Sequence, residues 1–211
     1  RYYYKDQEVV LNCWYAFSSG TNIPNEREFV KHGGIVEGMR TMMDHAGFSR
    51  TREEVMQAMR ALSRCSGCQD IRDLLVANGF LENLEKAMKE VPFDIHTQSP
   101  ACSNVAQLTK GSMWNRDRAY RLGLHKLAFK ALVDYPQMVS SVDWAFNDQY
   151  TVLEDCSEAL SSIAQDARAK AYLKRASVNG TYHLQEAMKL KPHSGRFQTA
   201  VKDILASLSH W

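Results

Sequence analysis

The chain has 211 residues, of which 45% are apolar and 24% charged, with a formal net charge of +2. That balance can fill one continuous core and fits a single domain, while a charge so near neutral argues against nucleic acid or an anionic membrane as partner. No apolar run reaches the length of about 18 residues that a transmembrane helix needs.

The first residue is Arg1 rather than Met, so a fragment or a processed mature protein is expected, and no signal or transit peptide is legible. Arg1 to Lys5 carry three tyrosines and read as the end of a helix. Gln7 to Ser18 reads as a long helix, with Val10, Cys13, Trp14, Ala16 and Phe17 on one face. Thr21 to Asn25 reads as a loop, and Asn25 with Glu28 can cap the next helix. Thr51 and Glu54 have capping-box spacing ahead of Val55, Ala58, Met59, Ala61 and Leu62, which fall on one helical face. Ser66-Gly67 breaks that helix. Ile71, Leu74 and Leu75 form a shorter apolar face, and Asn78-Gly79 turns the chain into a third helix bearing Phe80, Leu84, Ala87, Met88 and Val91.

The same pattern recurs. Glu26–His45 mirrors Ile71–Glu90 at a shift of 45, which aligns Gly34 with Gly79 and Met43 with Met88. Further on, Cys102, Val105, Ala106, Leu108 and Thr109 keep the spacing, and Gly123 follows Gly79 by 44 residues, with Ala131 and Leu132 at the places of Ala87 and Met88. A fourth copy starts at Cys156, Ala159, Leu160, Ser162 and Ile163 and ends in Asn179–Lys189, with Ala187 and Met188 in place. Pro92 to Pro100 reads as a linker, with Ser99-Pro100 opening a helix. Units of about 40 to 47 residues with two or three helices belong to helical arrays. The predicted units are about 6–47, 49–92, 99–135 and 150–191, followed by an amphipathic terminal helix over 195–210. Residues 135–150 do not fit the repeat; Trp144 and Phe146 make them either an extra packed helix or a partner-binding insertion.

The phrase "apolar pair, polar pair, Gly-Gly or Asn-Gly, apolar", carried by Glu26–Ile35 and Ile71–Phe80, resembles the armadillo repeat. The resemblance implies an all-α, right-handed α-solenoid of about four units in one domain. It further implies a concave groove that binds a partner's extended peptide. Offsets pointing away from the buried stripe then become groove candidates: Asn12, Gln57, Asn104 and Glu158 in one column, and Tyr15, Arg60, Gln107 and Ser161 in the next, with Arg64 beside Arg60. Side-chain amides there can pair with the N–H and C=O groups of an extended segment. An ordinary solvated helix face has the same composition.

Chemical motifs are sparse. Cys65-Ser66-Gly67-Cys68 lacks the second ligand pair that zinc requires. The seven histidines share no metal-binding spacing, and no nucleophile elbow, phosphate loop or dinucleotide fingerprint occurs. No cofactor, metal or catalytic residue is expected. Five cysteines, an odd number, argue against a disulfide framework, so Cys13, Cys102 and Cys156 read as small buried apolar residues in a reducing, intracellular compartment. That compartment is the cytoplasm or, after presequence removal, a mitochondrion or other organelle. Arg116, Arg118, Arg121, His125, Lys126 and Lys130, with Arg168, Lys170, Lys174 and Arg175, read either as a basic strip or as solvated helix faces. The expected role is a non-catalytic protein-binding scaffold. The alternative is an accessory subunit built into a large complex.

Overall fold

A computed structural model describes residues 7–19, 26–44, 49–64, 69–140, 152–175, 178–190 and 192–209. The described residues are all-helical, without a strand. In chain order the helices are α1 (Gln7–Ser19), α2 (Glu26–Lys31), α3 (Gly34–Asp44), α4 (Ser49–Ser63), α5 (Gln69–Ala77), α6 (Phe80–Glu90) and α7 (Ile95–Thr109). They continue as α8 (Met113–Arg121), α9 (Leu124–Ser140), α10 (Val152–Ile163), α11 (Ala167–Lys174), α12 (Gly180–Leu190) and α13 (Gly195–Ser209).

Packing follows a rule of three. α1 packs on α4, α4 on α7, α7 on α10 and α10 on α13. A second row runs beside it, with α3 against α6, α6 against α9 and α9 against α12. The short helices α2, α5, α8 and α11 each lean on the helix that follows. A helix in such a row has two neighbours of its own kind, so its apolar stripe must be wide. Hence Val55, Met56, Ala58, Met59 and Leu62 of α4 are all fully buried, and α7 buries nearly its whole length.

Each short helix turns into the next through one residue with left-handed backbone: Gly33, Gly79, Gly123 and Asn179, at φ +84°, +86°, +76° and +47°. The turn is built the same way each time. The hinge carbonyl accepts from the amide four residues on, at Glu37, Asn83, Leu127 and His183. At the three glycines the hinge N–H also donates three residues back, to Val30, Val76 and Tyr120. Side chains other than glycine, asparagine or aspartate adopt this backbone only at a cost, which is why these residue types recur there.

This geometry corrects the expected register by one residue. Gly33, not Gly34, corresponds to Gly79. Met42 therefore takes the buried place of Met88, and Met43 lies at the surface. Gly34 instead opens α3, and the ring of Phe29 occupies the space a Cβ would need there.

Other expectations are also corrected. α4 begins at Ser49, so Thr51 lies inside the helix, its buried hydroxyl without a partner among the described residues, and no capping box forms there. α7 begins at Ile95, which places Pro100 within it and shortens the linker to 91–94. Helix α9 runs on to Ser140, so 135–140 are helical. Leu74 is exposed, and Val76 supplies the buried contact instead. Cys102 and Cys156 are buried as expected, yet they form a disulfide, which removes the argument for a reducing compartment. Cys13 is exposed and free. Trp144, Phe146, Cys65, Cys68 and the Asn25 cap lie outside the described residues.

Candidate functional site

The row α1–α4–α7–α10–α13 carries the columns of polar residues singled out above. Asn12 and Tyr15 on α1 and Arg64 after α4 are exposed; Gln57, Arg60, Gln107, Glu158 and Ser161 are half-buried. Asn104 departs from the column. It is fully buried, and its Nδ2 donates to the Met56 carbonyl on α4 at 2.8 Å and to the Pro100 carbonyl at 2.9 Å. It ties α7 to α4 and presents nothing to solvent.

Where α7, α10 and α13 meet, an open cleft of about 570 Å³ forms, bounded by Gln107, Lys110, Glu158, Ser161, Arg196 and Thr199, among others. Three of the expected positions, Gln107, Glu158 and Ser161, share this wall. A smaller cleft between α1 and α4 is lined by Asn12 and Tyr15 together with Glu8, Arg50 and Glu54.

A charge network fixes the walls of the larger cleft. Ser99 Oγ on α7 donates to the buried Asp155 Oδ2 on α10 at 2.7 Å. Arg196 on α13 donates to Asp155 Oδ1 at 3.3 Å and pairs through Nε and Nη2 with Glu158. The hydrogen bond to Glu158 raises the Arg196 pKa above its ordinary value. Charged bonds of this kind, partly shielded from water, hold direction better than neutral ones. Sequence reasoning missed both Arg196 and Asp155. A basic residue at the start of an amphipathic terminal helix gives no sign that it reaches the preceding unit.

Arg60 sits differently. Among the described residues its only hydrogen-bond acceptor is Gln57 Oε1, at a long 3.5 Å, and its buried Nε has no partner. Burial lowers its pKa, as does Arg64 beside it, while Asp155 and Glu158 push the other way.

Four of the residues read as a basic strip or as solvated helix faces are held in ion pairs. Arg118 meets Glu82, Arg121 meets Asp117, Arg168 meets Asp117 and Asp166, and Lys130 meets Asp134. Arg168 holds the Asp117 and Asp166 carboxyls below their usual range. His125 is buried, stacked on Tyr120 at 4.7 Å and edge-on to Tyr172 at 5.0 Å, with both ring nitrogens unpartnered among the described residues. Burial pushes its pKa down to about 4, so at neutral pH it is an uncharged core ring.

Next to the larger cleft, with Gln165 lining both, Met113 and Trp114 at the start of α8 are 79% and 56% exposed, beside a second cleft shared with Arg116 and Arg168. Among the described residues no group of three His, Cys, Asp or Glu side chains could hold a metal ion, and no helix is long and apolar enough to cross a membrane.

No family model, curated protein or solved structure matches this chain.

Proposed function

We propose that the chain is a right-handed α-solenoid of armadillo type that acts as a non-catalytic scaffold, holding an extended segment of a protein partner along the α1–α4–α7–α10–α13 row. The observation that carries this reading is the recurrence of one hinge. Four left-handed residues at 33, 79, 123 and 179 each join a short helix to a longer one, and every third helix stacks on its like. A stack built this way lines up equivalent side chains, as an extended peptide requires, because its backbone groups recur along its whole length. Gln107, Ser161 and Thr199 on three successive long helices supply such groups around one cleft.

A second reading has its own observation. Met113 and Trp114 place large apolar surface in water beside the neighbouring cleft, a signature of surface covered in an assembly. Under that reading the chain is an accessory subunit of a larger complex. Site-specific photo-crosslinking separates the two. Benzoylphenylalanine at Gln107 captures the partner if the row is the binding face. Capture at Trp114 alone, with none at Gln107, contradicts the scaffold reading and favours the built-in subunit.

A further inference from the structure

We infer that Arg60 and Arg64 form a carboxylate-receiving subsite, so that the segment bound along the row is an acidic stretch of protein. The inference rests on the groove reading and adds the chemistry of its occupant.

Arg60 lies in the last turn of α4 and Arg64 directly after the helix, close enough that the like charge of Arg64 bears on Arg60. One of them is half-buried. Among the described residues neither has a carboxylate within ion-pair distance, whereas Arg118, Arg121, Arg168 and Arg196 each do. Arg60 leaves a buried Nε–H donor unsatisfied and spends its Nη1 on a long contact to a neutral amide. A guanidinium keeps its charge under such conditions, and its planar fork fits a carboxylate through two parallel bonds. An arriving Asp or Glu side chain supplies what the fold withholds: a carboxylate partner for the half-buried guanidinium and relief of the Arg60–Arg64 repulsion.

The surroundings favour a carboxylate over a phosphate group. Asp155 and Glu158 on α10 already bear on the charge of Arg60. Their field opposes a dianion or a nucleic-acid backbone more than a single carboxylate. Gln57 on α4 and Gln107 on α7 stand in adjacent units as donors and acceptors for the flanking peptide bonds.

The test is selection of a phage-displayed random peptide library on the full chain and on its Arg60→Gln, Arg64→Gln double variant, with binding of the winners measured by fluorescence anisotropy. The expected result is enrichment of Asp or Glu in winners from the natural chain and loss of that enrichment with the variant. For the best winner, replacing its acidic residue by the isosteric amide should weaken binding by about tenfold or more, the scale of a desolvated charge pair. Arg64→Glu, a change at an exposed position, should invert the preference toward lysine peptides. Winners without acidic enrichment, or acidic winners unaffected by the double variant, overturn this inference and leave the groove reading standing. Recovery of no groove-binding peptide at all overturns both. Displacement of the acidic peptide by inorganic phosphate or single-stranded RNA more readily than by free glutamate also overturns the carboxylate assignment.

Discussion

Cys102 on α7 and Cys156 on α10 are joined sulfur to sulfur across two stacked helices, their Cα atoms 4.8 Å apart and 54 residues distant in sequence. The bond closes a loop that contains all of α8 and α9, so it staples one three-helix unit to the next. Both sulfurs are shut off from water by the packing of the row.

Closing a loop of that length removes chain entropy from the unfolded state worth about 4 kcal/mol by the usual loop-length relation. Reduction by a phosphine in mild denaturant should therefore lower the urea midpoint markedly. The Cys102→Ser, Cys156→Ser double variant should be destabilised by a similar amount and be indifferent to reductant. A natural chain whose midpoint ignores reductant would show that the thiols are not paired.

The hinge glycines should be intolerant of side chains while a helical glycine elsewhere is not. Gly79→Ala forces a Cβ onto a backbone at φ +86°, at a cost of about 1–2 kcal/mol. Gly195 opens α13 with ordinary backbone, and nothing lies within 4 Å of an added Cβ, so Gly195→Ala should be neutral or slightly stabilising. Equal effects at the two positions, read by thermal melts, would contradict the hinge geometry.

Two histidines should pull stability in opposite directions with pH. His125 is held neutral by burial, its pKa near 4 against an ordinary 6.5. Its unfolded form takes up a proton first, so stability is flat above pH 6.5 and falls as pH drops from 6.5 toward 4, by about 3 kcal/mol in total. His125→Phe keeps a ring between Tyr120 and Tyr172 and should flatten that acid limb. His96 is the reverse case, because its bond to Glu53 at 2.8 Å raises its pKa. Its contribution is complete below pH 6.5 and fades as pH climbs through the raised value, so His96→Leu should affect stability more at pH 6 than at pH 9. Urea midpoints across pH 4.5–9 check both limbs; an acid limb unchanged in His125→Phe would contradict the first assignment.

Asp155 is the pivot of the cleft wall, buried and bonded to Ser99 and Arg196. Asp155→Ala leaves Arg196 with fewer partners and a buried hydroxyl without its acceptor. Losing one member of such a network costs about 3 kcal/mol. The exposed Lys202 on the same terminal helix should be replaceable by Ala with little effect. Chemical denaturation of the two variants decides this.

Much of the core was legible from spacing alone. Val55, Met59 and Leu62, and Phe80, Leu84 and Met88, are buried where helical periodicity puts them. The hinge at Gly79 was legible as well. In the first unit two adjacent glycines, Gly33 and Gly34, leave the sequence silent on which one takes the left-handed backbone, so spacing alone is ambiguous there by one residue. Thr51/Glu54 and Ser99-Pro100 mimic helix starts, yet tertiary packing extends both helices toward their N-termini. Asn104 has the offset of a surface residue, and only the approach of α4 buries it. The disulfide was hidden because an odd cysteine count and a separation of 54 residues give no local signal. In the candidate site Gln107 and Ser161 were reached through their column, whereas Arg196 and Asp155 depend on helices from successive units meeting.

A distance across the stack tests the stacking of every third helix most directly. Spin labels carried by unnatural amino acids at Asn12 on α1 and Lys202 on α13, both exposed, span four helix-to-helix steps. At about 10 Å per step, double electron–electron resonance should give one population near 40 Å, shortened slightly by any curvature of the row. A distance near 20 Å, as in a closed bundle where the first and last helices lie side by side, would contradict the stacked arrangement and the binding row built on it.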